Sequence, residues 1–297
     1  MAPRVRRLLQ QLRPDIVNAH YASGYATTAR LVRYRPWLLS VWGSDVYDFP
    51  EKSALHRWLL RGNLRSAEAV ASTSECMARR ISRVFCPKRL FITPFGVDER
   101  LFKPAPPDDD RKKVVIGTVK TLSKKYGIDI LIRAFALAAK ELGSSTELNL
   151  EISGTGPDEA VLKELVVQLG IASAVTFHGA VPHTRVPEIL QRLDIFSALS
   201  RSESFGVAAV EAAACGLPVV VSDAEGLAEV TRHAETGFIV PKNDPEAAAI
   251  ALVKLARDAK LRQAFGLAGR EHVLTHYTWG QSLDKMISVY EEMMSKR

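Results

Sequence analysis

Apolar residues along the chain fall into short runs separated by longer stretches of helical period. DIVNAH (15–20), WLLSVW (37–42), EAVAST (68–73) and LFITPF (90–95) read as buried strands. KVVIGTV (113–119), ELNLEIS (147–153), AVTFHG (174–179), DIFSAL (194–199), PVVVSD (218–223) and GFIVP (237–241) continue the pattern. Strands alternating with helices of about 10–15 residues imply βαβ units and parallel sheets with helices on both faces. The chain opens in a helical pattern, VRRLLQQL, that feeds the first strand. Its end is helical throughout: Asp244 is placed to cap a helix with Pro245 at its first position, and a final helix follows Thr278.

One stretch breaks the alternation. GVDERLFKPAPPDDDRK, residues 96–112, combines three prolines with three consecutive aspartates and has too little apolar surface to fold alone. The reading is two α/β domains, 1–95 and 113–277, joined by a linker over 96–112. Residues 278–297 form a helix that packs back toward the first domain. Four strands are few for a doubly wound domain, so the first domain reads as incomplete.

Composition narrows the class. Of 297 residues, 47% are hydrophobic and 25% charged, which suits a globular chain with a sizeable core. No apolar run approaches the roughly 20 residues of a membrane-spanning helix, and the N-terminus lacks a signal-peptide core. Cys76, Cys86 and Cys215 are too few and too scattered for a disulfide framework or zinc site, and read as reduced thiols in cytoplasm. The net charge of +7 sits in the first third of the chain: residues 1–111 hold 19 Lys+Arg against 11 Asp+Glu. That excess is either an ordinary solvated face or a surface that meets anionic lipid or a phosphorylated acceptor. Nucleic acid fits less well, because basic and aromatic residues are not interleaved.

The densest chemistry lies in LSRSESFGVAAVEAAACGLPVVVSD, 199–223. A strand leads into a helix that begins near Gly206 and is filled with alanines, so it can pack close to a sheet. Its N-terminus, preceded by Ser204 and Phe205, offers backbone N–H groups and a dipole suited to phosphate. Gly206 lets a ligand approach the backbone. Glu203 and Glu211 are eight positions apart, about 80° beyond whole helical turns, so they are not a general acid/base pair on one helix face. Glu203 belongs to the loop before the helix and Glu211 to its interior. Asp108–Asp110 contains a D-x-D sequence, but in the linker rather than at a strand end. Gly154–Gly156 (GTG) lacks the third glycine of a dinucleotide loop and reads as a tight strand-to-helix turn.

ESFGVAAVEAAACGLPVVVSDAEGLAEV resembles the donor-site signature of retaining GT-B glycosyltransferases of the glycosyl group 1 type, glycosyltransferase family four. IGTVKTLSKKYGIDILIRAFA, LEISGTGPDEAVLKEL, VTFHGAV and ETGFIVPKNDPEAAAIAL resemble further parts of that family's C-terminal domain. RPDIVNAHYASGYATTA, SVWGSD and TPFGVDERLF resemble the second half of its N-terminal domain. The resemblance implies a GT-B-like α/β fold of two Rossmann-like parallel-sheet domains, the N-terminal one lacking its front.

It also implies roles. Glu203 would hold the donor sugar's hydroxyls and Glu211 those of the ribose. Ser204, Phe205, Gly206 and Val207 would present backbone groups to the diphosphate and sugar. Lys120 and Lys125 would lie over the diphosphate, with Lys124 a rival for the second position; the family commonly has arginine at the first. Gly117, Gly154 and Gly179, among the donor-side strands and turns, would be donor-binding as well. His20 would face the donor sugar from the N-terminal domain. Gly43 falls where the family often has His-Gly and this chain has Trp42-Gly43, and Asp45 is a candidate acceptor contact.

The implied reaction is transfer from a nucleotide sugar with retained anomeric configuration, no metal and no cofactor beyond the donor. The acceptor would be a glycan, a lipid-linked glycan or a small molecule. Expected surroundings are the cytoplasm or the inner membrane face, with anionic membrane or a separate chain supplying the N-terminal strands as partners and no nucleic acid. A non-catalytic nucleotide-sugar-binding subunit and a nucleotide-sugar epimerase fit the same residues.

Overall fold

The computed structural model describes residues 1–106 and 113–295. The chain divides into two compact units, Met1–Gly96 with Gly280–Arg297, and Val97–Trp279. Asp108–Asp110 lie outside the described residues.

In the first unit, β1 (Val17–His20), β2 (Trp37–Ser40), β3 (Ala69–Ser72) and β4 (Leu90–Ile92) form a parallel sheet in sequence order. The helices are α1 (Ala2–Leu12), α2 (Gly24–Val32), α3 (Ser44–Tyr47), α4 (Ala54–Ser66) and α5 (Glu75–Val84). Sequential parallel pairing with crossovers of one hand puts α2, α4 and α5 on one face. There Ala26, Leu60, Leu64, Met77 and Ile81 meet Leu39 and Val70 in one core cluster. The strand period of two turns Leu38, Ala69 and Ala71 to the other face, where Val289 and Met293 of α13 (Trp279–Ser295) cover them. β4 is shorter than the run that predicted it, because Pro94 has no N–H for the ladder and the last backbone bond, from Thr93, reaches Ser72 at 2.7 Å.

The second unit holds β5 (Lys113–Val119), β6 (Glu147–Ser153), β7 (Val175–Gly179), β8 (Ile195–Ala198), β9 (Val219–Ser222) and β10 (Gly237–Val240). All pairings are parallel, in the order β10-β9-β8-β5-β6-β7. The helices are α6 (Ile128–Leu142), α7 (Glu159–Gln168), α8 (Val186–Leu190), α9 (Val207–Ala214), α10 (Glu225–Val230), α11 (Pro245–Arg257) and α12 (Ala259–His276). Asp244 caps α11, accepting from Ala247 N–H at 2.8 Å. The alanines of α9 allow α12 to come close. Gly266 of α12 lies so near Gly216 that a Cβ would stand 2.0 Å from its carbonyl oxygen. Within the stretch read as a linker, Val97 and Phe102 are buried, and Val97 accepts from Trp279 N–H and donates to the Tyr277 carbonyl.

The strand order fixes where chemistry can occur. The chain leaves β5 in one direction through β6 and β7, then returns to β5's other side with β8. The loops after β5 and β8 therefore diverge from adjacent strand ends and open a crevice at the switch point.

Candidate donor-binding site

Lys120 follows β5 directly, and Glu203 lies in the loop between β8 and α9. Although 83 positions apart, they meet across the crevice: Lys120 Nζ donates to Glu203 Oε2 at 2.6 Å. Their side chains are only 18% and 13% exposed, so solvent screens this pair weakly. Lys120 Nζ also lies 4.6 Å from the centre of the Tyr126 ring, and Lys125 Nζ lies 6.0 Å from the same ring. One aromatic ring thus has two ammonium groups near it, one of them paired with the Glu203 carboxylate. Lys124 points elsewhere, lining a separate cavity with Asp129 and Asp158.

The loop before α9 is held by main-chain contacts. Glu203 C=O accepts from Gly226 N–H at 3.1 Å. A Cβ on Gly226 would stand 2.3 Å from Phe205 N, so this closeness requires glycine. Gly206 has φ 101° at the N-cap of α9. The first helical bonds run from Ala209 and Val210 N–H to Gly206 C=O, which leaves the earlier amides outside the helical ladder. Val207 is exposed, while Phe205 is buried edge-on against Tyr277 at 5.7 Å. Phe205 can therefore offer a ligand its backbone rather than its ring.

Glu211, one turn into α9, is 7% exposed. Burial raises its carboxyl above the ordinary range, opposed by its hydrogen bond to His183 and by the charges of His183 and Lys120. His183 Nε2 stands 2.8 Å from Glu211 Oε1, and its ring lies 5.6 Å from Phe102. His183 and Lys120 also border a cavity of ≈ 330 Å³ with Gly154, Thr155, Val181 and Val186, beyond the ends of β5, β6 and β7. Gly154 turns the chain there with φ +136°, where a Cβ would strike the Lys120 carbonyl at 1.9 Å. Its N–H donates to Gly179 C=O at 2.8 Å, which ties the ends of β6 and β7 together.

The structure does not bring every candidate into this group. Gly117 lies inside β5, buried beneath Leu193, whose methyl carbon would be 2.4 Å from an added Cβ. Its place is explained by strand-to-loop packing rather than by a ligand. Asp45, read as an acceptor contact, is 2% exposed in the first unit. Its oxygens accept from the N–H groups of Ala22 (2.6 Å), Gly43 (2.8 Å) and Trp42 (3.1 Å). A carboxylate so occupied is a clamp on the backbone after β1 and β2 and has no free face for an acceptor. Its carboxyl is nonetheless raised by burial, which outweighs those bonds.

His20, also in the first unit, ends β1 and is exposed. Its Nδ1 accepts from Trp42 Nε1–H at 3.0 Å. Tyr21 stacks on Trp42 at 5.7 Å, and Phe95 lies 5.1 Å from it. Partial burial lowers the His20 imidazole below its ordinary range.

Sequence reasoning missed Arg201. Its guanidinium grips Asp129 through two bonds of 2.7 and 2.8 Å, and also binds Lys124 C=O and Asn243. Its own N–H reaches Lys125 C=O at 2.8 Å. Burial of Asp129 is outweighed by this fork, and its carboxyl is held below the ordinary range. Arg201 thereby locks the Lys124–Tyr126 turn to the loop carrying Glu203. The signal was an arginine just beyond a buried strand, which sequence alone does not separate from a solvated charge.

Comparison with known proteins agrees with this architecture. The family model for glycosyl transferases group 1 matches residues 99–272, and that for glycosyl transferase 4-like proteins matches residues 1–74. N-acetyl-alpha-D-glucosaminyl L-malate synthase of Bacillus anthracis is 25% identical over 305 residues, covering 98% of this chain and 77% of that protein. D-inositol 3-phosphate glycosyltransferase of Rhodococcus erythropolis is 32% identical over 263 residues, covering 82% of this chain and 58% of that enzyme. Across six such D-inositol 3-phosphate glycosyltransferases the matches span only 50–58% of the relative's length. Among solved structures, Anabaena Alr3699/HepE in complex with UDP superposes with a TM-score of 0.85 at 19% identity, over 99% of this chain and 82% of that one. A switch-point crevice that joins a lysine after β5 to a glutamate before α9 thus sits in a two-domain GT-B fold, and the chain belongs to the glycosyl transferases group 1 family.

Proposed function

We propose that the chain transfers a sugar from a nucleotide-sugar donor to a glycan, lipid-linked or small-molecule acceptor, with retention of configuration and without a metal. The observation that carries this is the Lys120–Glu203 pair beside the N-terminus of α9. Departure of a nucleoside diphosphate leaves negative charge on the bridging oxygen. Lys120, Lys125 and the amides at Gly206 and Val207 would bind that charge, a preorganised electrostatic site. Lysine supplies a point charge, without the planar fork of arginine. When the diphosphate takes Lys120, Glu203 is released to accept hydrogen bonds from the sugar hydroxyls. Glu211, already hydrogen-bonded to His183, would take the ribose hydroxyls. Its buried site strengthens such bonds when the carboxylate is charged. Ser204 and Phe205 would contribute backbone groups, Gly154 and Gly179 would shape the turn beside the nucleotide, and His20 would act on the sugar from the first unit. Retention is best served by attack on the face that the leaving phosphate vacates, with that phosphate accepting the acceptor's proton. The UDP held by Alr3699/HepE supports a nucleotide donor here.

The test is turnover. Purified residues 1–297 are incubated with a panel of UDP-, GDP- and ADP-sugars and acceptors, and the product's anomeric configuration is read by NMR. Glu203→Ala should abolish transfer while leaving the fold intact. An inverted product would refute retention, and undiminished transfer by the variant would remove Glu203 from the mechanism.

One observation favours a second reading, a donor-binding subunit that needs a partner. β1 is an edge strand, α1 buries no side chain, and a cavity of ≈ 480 Å³ lined by Val5, Leu9, Val17, Ala29 and Val32 opens between them. An additional strand on another polypeptide would fill it and extend the sheet. Donor binding by residues 1–297 without transfer, and transfer restored by a partner, would decide for this reading.

A further inference from the structure

Two aromatic side chains of the first unit stand exposed at adjacent strand ends. Tyr21 follows β1 directly and Trp42 lies two positions past the end of β2. They are 37% and 40% exposed. Their rings are nearly parallel, 12° apart, with centres separated by 5.7 Å. At a stacking gap of roughly 3.5 Å the rings are displaced sideways by about 4.5 Å, so they form a step and do not cover one another. The backbone beneath is built to hold this step. Tyr21 has φ +70°, a conformation that bulky side chains rarely adopt. Its N–H donates to Ser40 C=O at 2.9 Å. The buried Asp45 carboxylate then ties the residue after Tyr21 to Trp42 itself, accepting from the N–H groups of Ala22 and Trp42. A strained residue fastened by a buried carboxylate marks a side chain held in place at some cost. Beside the step, Trp42 Nε1–H occupies His20 Nδ1, which leaves the exposed His20 its Nε2–H as a donor.

We propose that Tyr21 and Trp42 are the platform for a pyranose ring, and that the acceptor is therefore a carbohydrate. The assignment as acceptor rests on the transfer reading above, which puts His20 beside the sugar being moved. A pyranose presents C–H bonds on its faces and hydroxyls around its edge. Those C–H hydrogens, polarised by neighbouring oxygens, meet the negative face of an aromatic ring, while an edge hydroxyl can accept from His20 Nε2–H. An acidic or phosphorylated acceptor would call for a cation instead. The guanidinium groups that lie over rings in this unit are at Trp58, Tyr47 and Phe91. An alkyl chain would cover the rings but desolvate His20 Nε2–H with nothing to accept from it. Trp42 stands where the resembling family often has histidine, so the second ring of the step is this chain's own.

The test is saturation-transfer NMR on residues 1–297 without donor, so it does not depend on transfer taking place. The probes are methyl β-D-glucopyranoside, methyl β-D-galactopyranoside and lactose, with malate and myo-inositol 1-phosphate as anionic controls. The expected result is saturation strongest at the ring C–H hydrogens of the sugars, with Trp fluorescence changing over the same titration. Tyr21→Asn removes the ring but suits φ +70°, since Asn tolerates the left-handed backbone. This variant should stay folded by circular dichroism and lose sugar affinity by about tenfold or more. Tyr21→Phe, which keeps the ring, should bind as wild type does. With a saccharide acceptor in the transfer assay, Tyr21→Asn should raise the acceptor KM by a similar factor and leave UDP affinity unchanged. Octyl β-D-glucopyranoside binding more tightly than the methyl glycoside would assign the ring to a lipid-linked glycan, and equal binding to a free one, both with the ring on the platform. No pyranose binding, binding unchanged in Tyr21→Asn, or binding of the anionic controls alone would overturn the proposal. Transfer to a non-carbohydrate acceptor with no pyranose bound would overturn the platform and leave the transfer reading standing. Pyranose binding that Tyr21→Asn abolishes, with no transfer from any donor, would leave the platform standing and sink the transfer reading.

Discussion

The indole N–H of Trp42 donates to Nδ1 of His20 at 3.0 Å, and this one bond selects the tautomer of the neutral ring. An Nδ1 that accepts carries no proton, so the ring is held as the neutral Nε2–H tautomer. Protonation would place two N–H groups head to head, which acts in the same direction as the partial burial that lowers His20. Replacing Trp42 with Phe keeps an aromatic ring beside Tyr21 and Phe95 but removes the donor. The His20 pKa should then rise toward 6.5, read from its Hε1 resonance against pH. A titration unchanged by Trp42→Phe would leave desolvation as the whole cause.

Lys120 and Glu203 make a second prediction, in which affinity and stability separate. Lys120→Ala removes a cation from the proposed diphosphate site, and UDP binding should weaken roughly 10–100-fold by calorimetry. Glu203→Gln instead leaves a largely enclosed ammonium without its countercharge. The variant should lose about 1–3 kcal/mol in urea unfolding while still binding UDP. If both variants lost UDP affinity equally and neither changed stability, the pair would not be opposing partners.

A third prediction concerns the turn at Gly154. Alanine there would have to hold φ +136° with its Cβ 1.9 Å from the Lys120 carbonyl. Gly154→Ala should cost about 3 kcal/mol or more and displace the residue that carries the proposed diphosphate contact. Gly143 is the control: it also has positive φ, at +56°, but an added Cβ meets nothing within 4 Å. Gly143→Ala should cost about 1–3 kcal/mol, from backbone strain alone, because φ 56° with ψ −133° is a conformation that side chains rarely adopt. Chemical denaturation of the two variants measures the difference.

The ten strands were legible because a buried parallel strand must be nearly continuous in apolar residues, and runs such as VVIGTV and PVVVS are little else. Boundaries were less so: Pro94 ends β4 early, and Val97 and Phe102 pack within a stretch whose prolines suggested a linker. In the site, residue types were legible and partnerships were not. Nothing local to Lys120 points to Glu203, because their meeting depends on β8 returning to β5's side of the sheet. His183 and Arg201 were missed for the same reason, since each acts on a residue of a distant helix, Glu211 of α9 and Asp129 of α6. Asp45 was misread because an acid in a cleft loop and an acid clamping three amides have the same sequence. Gly117 looked like a ligand-side glycine, but the space it leaves is filled by Leu193, 76 positions on.

Glu211 yields a prediction whose sign depends on pH. Its carboxyl is raised above the ordinary 4.5, chiefly by burial. The folded chain therefore holds this proton more tightly than the unfolded chain does. The associated stabilisation is complete below pH 4.5 and is lost as pH rises through the folded-state value. Glu211→Gln keeps a hydrogen-bonding group for His183 but has no charge to bury. Relative to wild type, its melting temperature should gain little at pH 4 and rise progressively from there to neutrality. UDP affinity should move the opposite way, falling about tenfold at pH 7 as a charge-assisted bond to the ribose becomes a neutral one. Such a variant, more stable and less able to bind, would mean that the wild-type chain keeps an ionised carboxylate in its interior at a cost in stability because the nucleotide requires it. Melting curves across pH 4–8 with and without UDP decide the point. A deficit in stability at every pH would show instead that the Glu211–His183 ion pair outweighs the cost of burial.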